Sequence, residues 1–184
     1  TLFRSGMNNG LVFVGNFRNG GEVLPPLSHP SSITALSFST DAKSIIVGDG
    51  AGYIYDWKLE DGKLRFPSRS HGSEMLVATT VRDTSLVIGV AKEGEVSVFD
   101  SKTGALQRAR LQRTLRDAEI SHDGSLLAFA PRGIAAVQVW NIHERMSGRR
   151  FVDVLEKELI TRIKGPDNSP QQLRESDAGG ANRQ

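Results

Sequence analysis

Ser32-Ile33-Thr34-Ala35-Leu36-Ser37-Phe38-Ser39 leads into Thr40-Asp41-Ala42-Lys43, resumes as Ser44-Ile45-Ile46-Val47, turns at Gly48-Asp49-Gly50-Ala51-Gly52 and continues as Tyr53-Ile54-Tyr55-Asp56-Trp57-Lys58. β-Branched and aromatic residues dominate the three runs, and turn formers separate them, so the stretch predicts three short strands joined by tight turns. Three glycines at the second turn supply residues that accept positive φ without a Cβ clash. Glu60-Asp61-Gly62 is a further hairpin signal, after which Lys63-Leu64-Arg65-Phe66 reads as a fourth strand.

The same plan recurs along the chain. Gly15, Trp57, Phe99 and Trp140 each end a β-like run and follow one another at intervals of 42, 42 and 41 residues. Gly10, Gly52 and Gly94 lie five residues before their markers, Asp41 and Asp83 sixteen before, Asp123 seventeen before, and His29 and His71 are again 42 apart. Turn glycines, hairpin acids and strand aromatics answer to different local physics, so their common interval marks a structural repeat. The second unit places strands at residues 74–81, 85–90, 95–100 and 105–111, and the third at 114–121, 125–130 and 135–142, with Asp123-Gly124 at its first hairpin.

Four antiparallel strands in about 40–45 residues is the arithmetic of a β-propeller blade, which covers its faces only by stacking on neighbours. The expected fold is therefore all-β, with about three full blades plus a partial one: residues 1–27 a partial blade lacking its first strand, 28–69 and 70–112 complete blades, and 113–165 a blade carrying an insertion or a C-terminal helix. A propeller needs about four to eight blades, so the remaining blades are expected outside this segment. Thr1-Leu2-Phe3-Arg4, with no start Met, accords with a chain that begins within a larger protein.

Ser70-His71, Phe38-Ser39-Thr40-Asp41, Ala51-Gly52-Tyr53-Ile54-Tyr55-Asp56-Trp57 and Val96-Ser97-Val98-Phe99-Asp100-Ser101-Lys102-Thr103-Gly104 together resemble degenerate WD repeats. The resemblance covers about residues 1–142. The Trp-Asp pair itself stands as Gly15-Asn16, Trp57-Lys58, Phe99-Asp100 and Trp140-Asn141. The buried His, Ser/Thr, Asp and Trp set of the family requires an Asp before the turn glycine, where this chain has Asn9, Ala51 and Glu93. His29 and Trp57 keep two members of one set, and the third unit has Arg113 where His is expected, so apolar stacking should carry more of the stability than that network. The resemblance implies a non-catalytic scaffold that mediates protein–protein interaction in a multiprotein complex. It also admits a ubiquitin-ligase substrate receptor, whose Trp-Asp-x-Arg signature Phe99-Asp100-Ser101-Lys102 approaches but departs from at both ends.

Beyond Ile142 two readings stand. Phe151, Leu155, Leu159 and Ile163, joined by Val152 and Ile160, form the apolar stripe of a helix over residues 149–164 that Gly165-Pro166 would stop. The alternative makes residues 158–165 the fourth strand of the last blade. The helix is the expectation. Residues 166–184 contain one large apolar residue, Leu173, and are expected to be a disordered tail.

The chain has 184 residues, a formal charge of +2 and no cysteine, which excludes disulfide frameworks, thiolate metal sites and cysteine nucleophiles and points to an intracellular, cytoplasmic or nuclear, protein. No His-x-x-x-His spacing suggests zinc, no Gly-x-Ser-x-Gly elbow suggests a hydrolase, and Gly48-Asp49-Gly50-Ala51-Gly52 precedes a strand where a phosphate loop would precede a helix. His29 and His71 read as blade-start residues, His122 as a turn residue, and His143 stands alone beside Glu144. The expectation is a protein without a catalytic site or cofactor.

Charge is unevenly spread. Residues 1–100 carry 9 Lys/Arg against 11 Asp/Glu, and residues 101–184 carry 14 against 10. Lys102, Arg108, Arg110, Arg113 and Arg116 fall between Asp100 and Asp117 with no acid among them, and Arg145, Arg149 and Arg150 follow in the insertion. These eight cations are the candidate partner-binding residues. They read either as a solvated edge strand or as an Arg-rich patch for an acidic protein segment, an RNA backbone or a phosphoinositide, since guanidinium forks pair with carboxylates and phosphates. No aromatics interleave them, which argues against stacking on single-stranded bases.

Overall fold

The computed structural model describes residues 2–111, 113–141 and 162–163. They form fifteen strands in four antiparallel sheets. The first sheet contains β1 (Leu2–Gly6), β2 (Leu11–Asn16) and β3 (Leu27–Ser28). The second contains β4 (Ile33–Phe38), β5 (Ser44–Asp49), β6 (Tyr53–Lys58) and β7 (Arg69–Ser70). The third contains β8 (Met75–Thr80), β9 (Leu86–Ala91), β10 (Glu95–Asp100) and β11 (Leu106–Arg110). The fourth contains β12 (Leu115–Ile120), β13 (Leu126–Pro131), β14 (Val137–Asn141) and β15 (Arg162–Ile163). Each sheet is a meander, its strands paired in chain order.

Strand alternation explains why the sheets stack. In β5, Ile45 and Val47 project into a core shared with Val12, Val14 and Leu27 of the first sheet, while Ile46 between them joins Met75, Ala78, Val87 and Phe99 of the third. In β9, Ile88 and Val90 pack against Leu115, Ala118, Leu127 and Phe129 of the fourth sheet, while Val87 and Ala91 face back. Each apolar cluster is thus an interface between successive sheets. Short runs such as Ile45-Ile46-Val47 are apolar at every position because both faces of the sheet are covered.

Two repeated backbone devices accompany this plan. β4, β8 and β12 each carry a register shift near their start, between Ile33 and Ala35, Met75 and Val77, and Leu115 and Asp117, which bends the first strand of each four-stranded sheet at the same place. Gly10, Gly52 and Gly94 adopt φ of 82°, 85° and 86°, and their carbonyls accept the N–H of His29, His71 and Leu111. A Cβ at Gly52 would lie 2.4 Å from the Ser73 carbonyl oxygen, so both the backbone conformation and the close approach require glycine.

Several expectations change in detail. Gly48 and Asp49 belong to β5, so the turn is shorter than the glycine cluster suggested, and of its three glycines only Gly52 has positive φ. Gly48 serves close packing instead: a Cβ there would meet Met75 Cβ at 2.7 Å and Ala35 Cβ at 3.0 Å. The fourth strand of the second sheet is not residues 63–66. Leu64 makes only an isolated bridge to Trp57, and the edge pairs at Arg69–Ser70. Pro67 follows Phe66 and has no N–H to give a ladder. Phe66 leaves the edge to pack edge-on against Phe99 in the next sheet, ring centroids 4.5 Å apart.

The helix expected over residues 149–164 is corrected at its end. Arg162 and Ile163 pair antiparallel with Gln138 and Val137, because the free edge of β14 accepts backbone hydrogen bonds there; residues 149–161 and 164 of that expectation, and the tail 166–184, lie outside the described residues.

Candidate functional site

The five candidate cations among the described residues lie on different strands and turns of two sheets. Lys102 lies in the turn between β10 and β11, where its backbone N–H donates to Asp100 Oδ1 at 2.8 Å. Arg108 is on β11, its Nη2 donating to the Ser70 carbonyl at 2.9 Å and its Nε 3.6 Å from Glu95 Oε1. Arg110 is exposed on the same strand, opposite Glu95 in the register, and Arg113 is exposed in the connection at the other end of the sheet from Lys102. Arg116 stands on β12, the first strand of the next sheet, at the bulge. Arg145, Arg149 and Arg150 lie outside the described residues. Asp100 is committed locally, accepting from Ser85 Oγ at 2.6 Å and from the Lys102 N–H, which holds its carboxyl below the usual range.

Lys102 instead joins a cleft that the sequence did not disclose. Between the second and third sheets, at the end where β4 turns into β5 and β8 into β9, lies a polar recess of about 530 Å³. Ser39, Asp41, Ser44, Asp56 and Arg65 form one wall, and Thr80, Arg82, Asp83, Ser85 and Lys102 the other. The Thr40 N–H donates to Thr80 Oγ1 at 3.0 Å and Ser37 Oγ to the Ala78 carbonyl at 2.7 Å, tying the walls together.

Asp56 is the unusual member. It is 1% exposed, its Oδ2 is 3.4 Å from Arg65 Nε, and its Oδ1 has no hydrogen-bond partner among the described residues. Burial pushes its carboxyl above the ordinary range, opposed by the Ser44 hydroxyl and the Arg65 charge. Asp41 behaves in the opposite way, because Ser39 Oγ at 2.6 Å and the Lys43 N–H at 3.0 Å bond its Oδ1 and hold its carboxyl low.

The histidines are structural. Trp57 Nε1 donates to His29 Nε2 at 3.0 Å, and His29 Nδ1 donates to the Gly10 carbonyl at 3.0 Å. Near this pair stands Asp49, three residues before the turn glycine, whose charge acts on His29 without a hydrogen bond to it. It is fully buried and accepts from the Tyr53 N–H at 2.8 Å and from Tyr55 Oη at 3.1 Å. In the third sheet Phe99 replaces the indole, and the Ser97 hydroxyl donates to His71 Nε2. That Ser–His pair is 0% and 3% exposed. Trp140 has no corresponding histidine, and its buried Nε1 lacks a partner among the described residues. No group of three or more metal-ligating side chains occurs among the described residues, and no helix among them is long and apolar enough to cross a membrane.

Antiparallel four-stranded sheets that bury both faces against their neighbours define a propeller-type all-β fold. No family model and no curated protein matches the sequence. Solved structures do. The computationally designed Ika8 protein matches at 27% identity and a TM-score of 0.62, over 77% of this chain and 43% of that one. U3-55K, a WD40 propeller protein, matches at 16% identity and a TM-score of 0.65, over 78% of this chain and 46% of that one. The designed Ika4 protein matches at 22% identity and a TM-score of 0.63, over 77% of this chain and 85% of that one. The chain spans less than half the length of two of these neighbours, and at such identities the likeness of U3-55K and Ika4 concerns the fold.

Proposed function

We propose that the chain is part of a non-catalytic, WD-repeat-like scaffold that mediates protein–protein interaction in a multiprotein complex, with further blades supplied from outside this segment. The observation that carries this reading is the polar cleft between the second and third sheets. Its walls hold three carboxylates, three cations and several hydroxyls from two blades, a composition suited to recognising a polar polypeptide surface. Affinity capture of the full-length protein, with crosslinking to locate contacts, is expected to return protein partners crosslinked to the cleft rim. Absence of any partner, together with small-molecule turnover, would overturn it.

A second reading is a propeller that binds RNA or phosphoinositide through its arginines. It draws on Arg110 and Arg113, both exposed near one end of the third sheet. Binding through them would fall steeply with salt, and Arg110→Ala with Arg113→Ala would remove that dependence.

A further inference from the structure

The scaffold reading leaves open what chemistry the cleft selects, and Asp56 supplies the answer. We propose that the interblade cleft seats a lysine side chain of a partner polypeptide, its ammonium hydrogen-bonded to Asp56 Oδ1; this rests on the interaction reading above.

Three observations converge. First, Asp56 lines the cleft and is 1% exposed, yet its Oδ1 has no partner among the described residues, and buried polar atoms are ordinarily satisfied. Second, the vacant atom is an acceptor, so the ligand group that completes it is a donor, which excludes a phosphate or carboxylate at this point. Third, the inner wall places two carboxylates, Asp41 and Asp56, within reach of the Arg65 charge, and Asp41 has the further cation Lys43 beside it, so Asp56 is the carboxylate with the fewer cationic neighbours.

A lysine suits this geometry better than an arginine. The fork of a guanidinium matches both oxygens of a carboxylate, and Asp56 Oδ2 already faces Arg65. An ammonium needs one oxygen from the carboxylate and can give its remaining protons to hydroxyls, which Ser44 and Thr80 provide on opposite walls. Its thin methylene stem passes between the walls while the main chain stays outside. Arg82 and Lys102, on the wall of the third sheet, would then face residues flanking the lysine and favour acidic ones.

The test is an NMR titration of the chain with acetyl-Gly-Lys-Gly-amide, alongside the glutamine and Nε-acetyl-lysine counterparts, following the amide signals of residues 39–44 and 80–85. The lysine peptide should produce saturable shifts at both walls, the neutral peptides none, and Asp56→Asn should weaken binding by about tenfold or more, as loss of a charge-assisted hydrogen bond does. Equal shifts from all three peptides, no shifts from any, or undiminished binding to the Asn variant would each overturn the proposal. The peptide comparison on the unmodified chain keeps the test valid if the variant folds poorly. Protein partners captured equally by wild type and Asp56→Asn would sink the lysine pocket and leave the scaffold reading standing. Lysine-peptide binding without any captured partner would do the reverse.

Discussion

Trp57 and His29 form a hydrogen-bonded staple between two blades: the indole N–H of β6 reaches His29 Nε2 at 3.0 Å while His29 Nδ1 binds the Gly10 carbonyl of the preceding sheet. The arrangement fixes the neutral Nδ1–H tautomer and leaves no ring nitrogen unpaired. Trp57→Phe should therefore lower unfolding free energy by about 1–2 kcal/mol beyond the effect of lost area, since it strands a buried acceptor. Trp140→Phe, whose Nε1 has no partner among the described residues, should cost less. Denaturant midpoints of the two variants decide the matter.

The same staple makes stability sensitive to acid. Burial holds the pKa values of His29 and His71 below 6.5, so the unfolded chain takes up protons that the folded chain refuses. Their contribution is complete above about pH 6.5 and declines as pH falls through the window beneath it. Asp56 acts in the opposite sense: its raised pKa means that protonating it relieves the folded state as pH falls through that value. Denaturant midpoints should drop between pH 7.5 and 5.5, and less so in His29→Gln.

Gly48→Ala tests close packing between sheets. The added methyl would meet Met75 Cβ and Ala35 Cβ, atoms fixed to backbone, with no flexible chain end to yield. A loss of about 1–3 kcal/mol is expected from overpacking, seen as a lower melting temperature.

The first hairpins of the blades offer a matched pair. Ala42 has φ of 54° and Gly124 has φ of 74° at equivalent turn positions, each donating its N–H to the serine three residues earlier. Ala42→Gly should stabilise by about 0.5–1 kcal/mol, relief of left-handed strain exceeding the added chain entropy. Gly124→Ala should destabilise by about 1–2 kcal/mol or more, because a Cβ would also press on Val81 Cα at 2.9 Å. Thermal melts that moved in the same direction would contradict this account.

Arg108→Ala should lower stability by about 1–2 kcal/mol, since it removes the donor to the Ser70 carbonyl and the charge beside the buried Glu95 Oε1. Arg110→Ala, on a solvated edge, should be silent in the same unfolding assay.

Much of the fold was legible because its signals are local. Strand alternation, turn glycines and the 42-residue interval are read within one blade, and they placed β4 to β6 and β8 to β14 to within a residue or two at most ends. The outer strand of the second sheet was misplaced because the tertiary contact of Phe66 with Phe99 competes with edge pairing. The buried Asp49 was missed because its place depends on Tyr55, its hydrogen-bond partner across the turn.

The sequence by itself determined the blade: its length, its four-strand plan, its obligatory glycines at positions 10, 52 and 94, and the apolar runs that require cover on both faces. Only the tertiary structure decided where charge gathers. Five cations adjacent in sequence separate onto different strands and ends of two sheets, while Asp56, Arg65, Thr80 and Lys102, distant in sequence, meet in one cleft. The physical reason is that blades pack laterally at an interval of about 42 residues, so side chains that share a cavity come from equivalent ends of neighbouring repeats.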